Sequence, residues 1–365
     1  MMKITLITTG LAVGGGEKQV CDLADQFMLS GHHVQLISLT GTKILSPKND
    51  NIELIELHSK KNIISLTVSL FKAIKLVKKF NPNIMHSHMV HANIFSRFIS
   101  LFTKFPLVCT AHSTNEGGLI RTLSYRYTDS LCRLNTNVSD EGVDIYIDKN
   151  ICSKDKIISV VNGVDVDKFK FCNDFRITKR SEIEIKDNEI LFLAVGRLAK
   201  EKDYNNLLNA FSLFTKKYLS AKLVIIGVGE LEFELIQLME ELHLEKKVIF
   251  LGYRSDIDEW MSAADVFVMS SAWEGLPLVI LEAMACERPI IATDCGGIGG
   301  LIKNTGELVP IKDSLQLSNA LERMFKISTE ERKKLGMLSR DYILNNYSLN
   351  VVSDKWISIY NEILK

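Results

Sequence analysis

The sequence predicts an α/β protein of two doubly wound, parallel-sheet domains facing each other across a cleft. Three observations lead there. Short apolar runs of strand length alternate with helical periodicity through the first half of the chain. The alternation pauses over a polar, turn-rich stretch at 162–188 and then restarts. The 365 residues are too many for one ordinary core and suit two.

The elements follow in order. KITLIT (3–8) is a first strand, running into glycines and then a helical pattern from Glu17 to Leu29. A signal peptide has a similar opening, but here the apolar run leads straight into a glycine turn, as a first strand does. HVQLISL (33–39) and NIELIEL (51–57) alternate with period two, and a helical stretch covers 63–80. NIMHSH (83–88), PLVCTAH (106–112) and LNTNVS (134–139) read as further strands. After the pause come EILFLAVG (189–196), AKLVIIG (221–227), KVIFLG (247–252), DVFVMS (265–270) and PIIAT (289–293). Helices fill the gaps and occupy about 330–364, where Trp356 and Tyr360, four apart, can anchor the last one. The expected domains are 1–175, 176–345 and a terminal helix at 346–365 that packs back on the first.

Composition excludes several classes. The chain is 46% hydrophobic and 24% charged, which excludes disorder, and no apolar run reaches the ~20 residues of a membrane span. Seven cysteines, an odd number without a C-x-x-C pair, give neither a disulfide framework nor a zinc knuckle; reduced thiols in the cytoplasm are the simple reading. Net charge is zero, yet residues 1–180 balance at +7 and residues 181–365 at −7. Basic residues are not interleaved with aromatics and no nucleic-acid motif is present.

Ligands of doubly wound sheets bind beyond the carboxyl ends of the strands. After the first strand, Gly14, Gly15 and Gly16 allow close approach of a ligand to backbone, and the helix behind them offers free N–H groups to an anion. The dinucleotide pattern G-x-G-x-x-G and the Walker pattern are both absent. In the second half, VGRLAKEKD puts Arg197 and Lys202 just past a strand end, where two cations can neutralise a diphosphate. Gly227 and Gly229 form a second tight strand-to-helix turn. In WEGLPLVILEA, Glu274 lies in a loop and Glu282 about five residues into a helix that starts near Pro277. Loop carboxylate, helix carboxylate and free helix N-terminus match a diphosphate between two polyhydroxylated rings, the layout of a nucleotide sugar.

On these motifs the sequence resembles the family 4 glycosyltransferases, retaining enzymes of the GT-B fold. The resemblance spans nearly the whole chain. It rests on Gly14–Glu17, TAH at 110–112, NGVD at 162–165, VGRL followed by EKD (195–203), GxGE at 227–230, and EGLPLVILE at 274–282. It implies that Glu274 binds the transferred sugar's hydroxyls and Glu282 the nucleotide ribose. Arg197 and Lys202 would stabilise the departing diphosphate. The backbone of Gly275, Leu276 and Leu278 would add N–H contacts, which Pro277 cannot. Gly15 and Gly16 would approach the diphosphate or acceptor, and His112 would sit at the donor sugar. His112, Glu274, Arg197 and Lys202 would be the catalytic set; Asn162, Gly227 and Gly229 join the substrate-binding positions.

The resemblance further implies a metal-independent hexosyltransferase without cofactor. A hexose or N-acetylhexosamine would pass from a nucleotide sugar, UDP-linked by family prior, to a glycan or lipid-diphosphate acceptor in surface polysaccharide synthesis. Asp165-Val-Asp167 and Asp256-Ile-Asp258 imitate a metal-binding D-x-D, but one belongs to the NGVD loop and the other opens a helix. His86, Ser87, His88 and His91 read as lining the acceptor side or as having no role, and His32-His33 as solvated. In SLTVSLFKAIKLVKKF, Leu66, Leu70, Ile74 and Val77 share one side and lysines the rest; NIFSRFISLFTKF and the arginines at 121, 126 and 133 follow. With the +7 balance this suggests an anionic membrane partner and a peripheral place on the inner face of the cytoplasmic membrane. Two other readings are a nucleotide-sugar 2-epimerase, which needs acid/base carboxylates not seen at the strand ends, and a non-catalytic nucleotide-sugar binding protein.

Overall fold

The computed structural model of the chain describes residues 1–12, 14–41, 44–113, 118–302 and 305–365; Val13 of the glycine turn lies outside them. The chain divides into two compact units, Met1–Gly163 with Leu349–Lys365, and Val164–Ser348.

In the first unit the order is β1 (Lys3–Thr8), α1 (Gly15–Leu29), β2 (His33–Ser38), β3 (Glu53–Glu56), α2 (Ile63–Phe80), β4 (Ile84–His88), α3 (Val90–Ser100), β5 (Leu107–Ala111), α4 (Leu119–Thr128), β6 (Leu134–Asn137), α5 (Asp140–Asp148) and β7 (Ile157–Ser159). All strands are parallel, in the order β3-β2-β1-β4-β5-β6-β7. Strand order therefore reverses between β1 and β4. β4 and β5 are buried along their whole length, as strands covered on both faces are. Helix α1 turns Val20, Leu23, Ala24 and Phe27 onto Ile4 and Leu6 of β1.

The second unit comprises α6 (Asn173–Glu182), β8 (Ile190–Val195), α7 (Tyr204–Thr215), β9 (Ala221–Ile226), α8 (Glu232–Glu241), β10 (Val248–Phe250), α9 (Ile257–Ala263), β11 (Val266–Met269), α10 (Leu278–Ala285), β12 (Ile290–Thr293), α11 (Ile298–Ile302), β13 (Gly306–Val309), α12 (Ser314–Lys326) and α13 (Thr329–Asn346). Its parallel sheet runs β10-β9-β8-β11-β12-β13 and reverses between β8 and β11. A final helix, α14 (Leu349–Ile363), returns to the first unit. Trp356 and Tyr360 are buried there in one cluster with Phe27, their rings stacked 5.8 Å apart.

Three elements differ from the sequence reading. Edge strands β7 and β13 are three and four residues long, too short to show a period. The stretch read as a linker contains α6. Its polar residues look solvated in sequence but are paired: Arg176 and Arg180 bind Asp265 at 2.6 and 3.1 Å, and Lys179 binds Asp256 at 2.6 Å. Those bonds fasten α6 within the second unit, and the contacts of the chain divide it at Gly163/Val164. Among the described residues no helix is long and apolar enough to cross a membrane.

Candidate active site

In the second unit the strands flanking the reversal, β8 and β11, open onto the two loops that carry the conspicuous charges. The β8 loop passes Gly196 and Arg197 and closes as a short turn at Lys200–Lys202. The β11 loop runs from Ser270 to Pro277, which precedes α10. Backbone and hydroxyls lace the loops together. Ala272 N–H donates to the Glu201 carbonyl at 2.8 Å, and Ser270 Oγ to the Lys202 carbonyl at 2.9 Å. Thr293, at the end of the neighbouring β12, bonds the Ser271 carbonyl at 2.6 Å.

On this platform Lys202 Nζ forms an ion pair with Glu274 Oε1, which also accepts from Ser271 Oγ at 2.8 Å. The Lys202 and Glu274 side chains are 18% and 13% exposed, so the pair is partly shielded yet still reachable. Arg197 pairs with Glu201 one turn on and is 66% exposed. The Glu201 hydrogen bond holds the guanidinium above its ordinary range. Burial pushes the Glu201 carboxyl up, but the Arg197 bond, a backbone hydrogen bond and the charges of Arg197 and Lys202 together outweigh it, leaving it below the usual range. Burial and then the charge of Glu274 raise the Tyr204 phenol, whose hydroxyl donates to the Gly196 carbonyl at 3.2 Å. Both cations thus stand in internal pairs, and an anionic ligand must compete with Glu201 and Glu274 for them.

α10 begins at Leu278 with no side-chain cap, so its first N–H groups face the same loop. Glu282 lies in its second turn, 7% exposed, and Leu276 and Leu278 are equally buried. Gly275 accepts from Gly297 N–H at 3.2 Å. Gly296, in the left-handed region at φ +61°, lies so close that a Cβ there would stand 2.6 Å from the carbonyl oxygens of Glu274 and Gly275. Gly227 and Gly229 have a packing reason of their own: a Cβ on either would overlap the backbone of Gly196 or Leu198.

In the first unit, Gly15 and Gly16 open α1, whose preceding residue Gly14 gives no side-chain cap. A Cβ on Gly16 would meet His112 Cγ at 3.4 Å and Met89 Sδ at 3.5 Å. His112 follows β5, and its Nε2 lies 3.0 Å from His88 Nδ1 at the end of β4. Burial holds His112 down to about 4 and His86 to about 3. His88 is also well below its ordinary range, from burial and then from its two neighbours. All three are neutral at pH 7, so one proton is shared across the His88–His112 contact. The outer nitrogens, His88 Nε2 and His112 Nδ1, are buried without a partner among the described residues. Asn162 is buried beside Gly163, whose N–H donates to Gln19 Oε1 at 3.0 Å.

Of the two readings of His86 and Ser87, lining the acceptor side or having no role there, burial favours the second. Both are fully buried; His86 bonds Tyr360 Oη at 2.5 Å and Thr110 Oγ1 at 2.6 Å, and Ser87 bonds Asn93 Oδ1 at 2.7 Å. The two D-x-D patterns are structural. Asp165 caps its own turn by accepting from Lys168 N–H at 2.9 Å, and Asp256 pairs with Lys179 and Arg254, each at 2.6 Å. Among the described residues no three His, Cys, Asp or Glu converge as metal ligands. Ser271, Glu201 and Tyr204 were not singled out by the sequence reading. Only Glu201, four residues from Arg197, had a local signal.

Comparison with known proteins fits this geometry. A family described as Glycosyl transferases group 1 matches residues 175–341, and one described as Glycosyltransferase Family 4 matches residues 13–168. An Escherichia coli protein, UDP-Gal:alpha-D-GlcNAc-diphosphoundecaprenol alpha-1,3-galactosyltransferase, is 29% identical over 310 residues, covering 80% of this chain and 78% of its own. The capsular polysaccharide biosynthesis glycosyltransferase CapM of Staphylococcus aureus is 25% identical over 351 residues, 91% of this chain and 90% of its own. Among solved structures, a glycosyltransferase from Rickettsia africae shares the fold at a TM-score of 0.88 and 23% identity, over 100% of this chain and 99% of that one. Anabaena Alr3699/HepE in complex with UDP-glucose shares it at 0.84 and 19%, over 99% and 100%.

Proposed function

Because this chain belongs to glycosyltransferase family 4 and has the GT-B fold, we propose that it moves a hexose or N-acetylhexosamine from a UDP-sugar to a glycan or lipid-diphosphate acceptor, with retention and without a metal. The observation that carries the reading is the Lys202–Glu274 pair, set by two loops at the strand reversal of the second unit. There the diphosphate takes Lys202 and Arg197 as counter-charges, and the α10 N-terminus adds its N–H groups. Released from Lys202, Glu274 accepts hydrogen bonds from the transferred sugar, and Glu282 accepts from the ribose. Charge then builds on the leaving diphosphate against fixed cations, the term expected to dominate the barrier. The first unit offers Gly15 and Gly16 to the acceptor side and His112 to the reacting sugar. The UDP and lipid-diphosphate choices draw support from the E. coli relative, named for both, and from the UDP-glucose held by the Anabaena protein. A place on the inner membrane face belongs to the same reading.

The test is UDP release with UDP-glucose, UDP-galactose and UDP-N-acetylglucosamine, each with a polyprenyl-diphosphate-linked sugar and EDTA present. The product's anomeric configuration is read by NMR. An α-linked product in EDTA supports the proposal. A β-linked product, or activity restored only by a divalent cation, contradicts it.

A further inference from the structure

The chain has three tryptophans, and it treats them unequally. Trp260 and Trp356 are buried, at 0% and 2% exposure, whereas Trp273 is 53% exposed. It has no ring, cation or hydrogen-bond partner among the described residues. An exposed apolar residue on a loose loop needs no explanation, but the β11 loop is not loose. Ser270, Ser271 and Ala272, just before Trp273, are all buried. Each is tied down: Ser270 Oγ donates to the Lys202 carbonyl at 2.9 Å, the Ser271 carbonyl accepts from Thr293 Oγ1 at 2.6 Å, and Ala272 N–H donates to the Glu201 carbonyl at 2.8 Å. Beyond it, Leu276, Pro277 and Leu278 are buried again. Small and polar residues go inside here while the largest side chain is turned out. The open part of the loop is therefore one continuous piece, Trp273, Glu274 and Gly275: an indole face, a carboxylate and a bare backbone on a fixed support.

We propose that Trp273 is a sugar-stacking residue, its indole covering one face of a pyranose ring beside Glu274 and so helping to set which sugar is accepted. The inference rests on the reading of this loop as part of a sugar-transfer site. A pyranose is amphipathic in the way the loop is. Its face presents C–H bonds with partial positive charge, which suit the negative face of an indole, and its rim presents hydroxyls, which donate to a carboxylate. A phosphate meets repulsion from that same indole face. A protein partner would ask for a contiguous apolar patch, and the open neighbours of Trp273 are a carboxylate and a glycine. Because the loop backbone is already fixed, little ordering is left to oppose binding. The chemistry is the same for the sugar of the donor and for the terminal sugar of the acceptor, and the test separates the two.

The test is tryptophan emission of the full chain, with the spectrum of Trp273→Phe subtracted to isolate Trp273 from the two buried indoles. The probes are UDP, then UDP-glucose, UDP-galactose and UDP-N-acetylglucosamine, then UDP with polyprenyl-diphosphate-linked N-acetylglucosamine. UDP alone leaves the Trp273 emission in place. A blue shift with the UDP-sugars assigns the stacked ring to the donor, and one that needs the polyprenyl-linked sugar assigns it to the acceptor. Trp273→Ala raises KM for that same substrate about tenfold, with kcat within about threefold. Trp273→Phe, which keeps a ring, recovers most of the loss. Both variants melt within about 2 °C of the wild type, because the side chain is largely outside the core. An emission that no sugar-bearing probe moves overturns the proposal. So does Trp273→Ala with unaltered KM for donor and acceptor, including the case where it abolishes a wild-type dimer and the indole is a contact between copies. Thermal stabilisation by UDP, measured on the same samples, keeps the two readings apart. Stabilisation with no response at Trp273 removes the stacking role alone. A sugar response without stabilisation by UDP keeps the stacking role and refutes the nucleotide-sugar reading, and the absence of both refutes both.

Discussion

Glu274 is held by Lys202 and Ser271 before any ligand arrives, which separates its structural from its functional contribution. The pair is partly exposed, so Glu274→Gln costs about 1 kcal/mol and lowers Tm by about 2–4 °C. Transfer falls by about a hundredfold or more if the carboxylate binds the reacting sugar. A large fall in Tm with modest loss of activity would show a structural glutamate instead. His88 makes a second prediction. Its Nδ1 couples the tautomer of His112 to its own, since both rings are neutral and one N–H serves their contact. His88→Asn keeps a polar group near that position and retains most activity; His88→Ala loses roughly tenfold. Ring ¹⁵N shifts of His112 report the tautomer directly. Identical His112 shifts in the wild type and His88→Ala would end this account.

At the scale of elements, the loop before α10 depends on a backbone contact from Gly296. Gly296→Ala brings a methyl against two carbonyls in a left-handed conformation and costs about 1–3 kcal/mol. It also moves Glu274, so donor affinity falls with stability; unchanged nucleotide affinity would show that the loop position does not matter. The long elements were legible because their periods are long: β1, β2, β4, α1 and α2 all show in the apolar pattern. The edge strands β7 and β13 and the helix α6 were not, the former from brevity and the latter because its Arg and Lys partners lie some 77–89 positions away. The same limit applies to the site. Arg197, Lys202 and Glu274 stand out by strand-end position, but Lys202 and Glu274 are 72 residues apart, and only the strand order brings them into contact. Tyr360, in contact with His86 across 274 residues, left no trace in the sequence beyond a helical pairing with Trp356.

At the scale of the molecule, the histidines make the two units unequal in acid. His86, His88 and His112 all have folded values below the ~6.5 of an unfolded chain. The unfolded state therefore binds more protons below that pH, so stability is complete above about pH 6.5 and falls as pH drops toward 4. Three such groups set a limit of about 4 kcal/mol per pH unit. The second unit has one histidine, exposed His243, and its depressed carboxyls Asp256 and Asp265 remain ionised at pH 5. Calorimetry at pH 7 and pH 5 should show the first unit's transition falling well ahead of the second's; equal shifts would contradict the buried neutral histidines.

The central claim is that the second unit holds a uridine nucleotide sugar through Arg197, Lys202, Glu274 and Glu282. Thermal stabilisation by UDP, GDP, ADP and their sugar conjugates tests it most directly, because a ligand specific to the folded state raises Tm by mass action, about 2.7 kcal/mol at a hundred times its Kd. The account predicts a shift with UDP and UDP-sugars, none with GDP or ADP, and its loss in the double variant Arg197→Ala with Lys202→Ala. No shift with any nucleotide, or an undiminished shift in that variant, would contradict it.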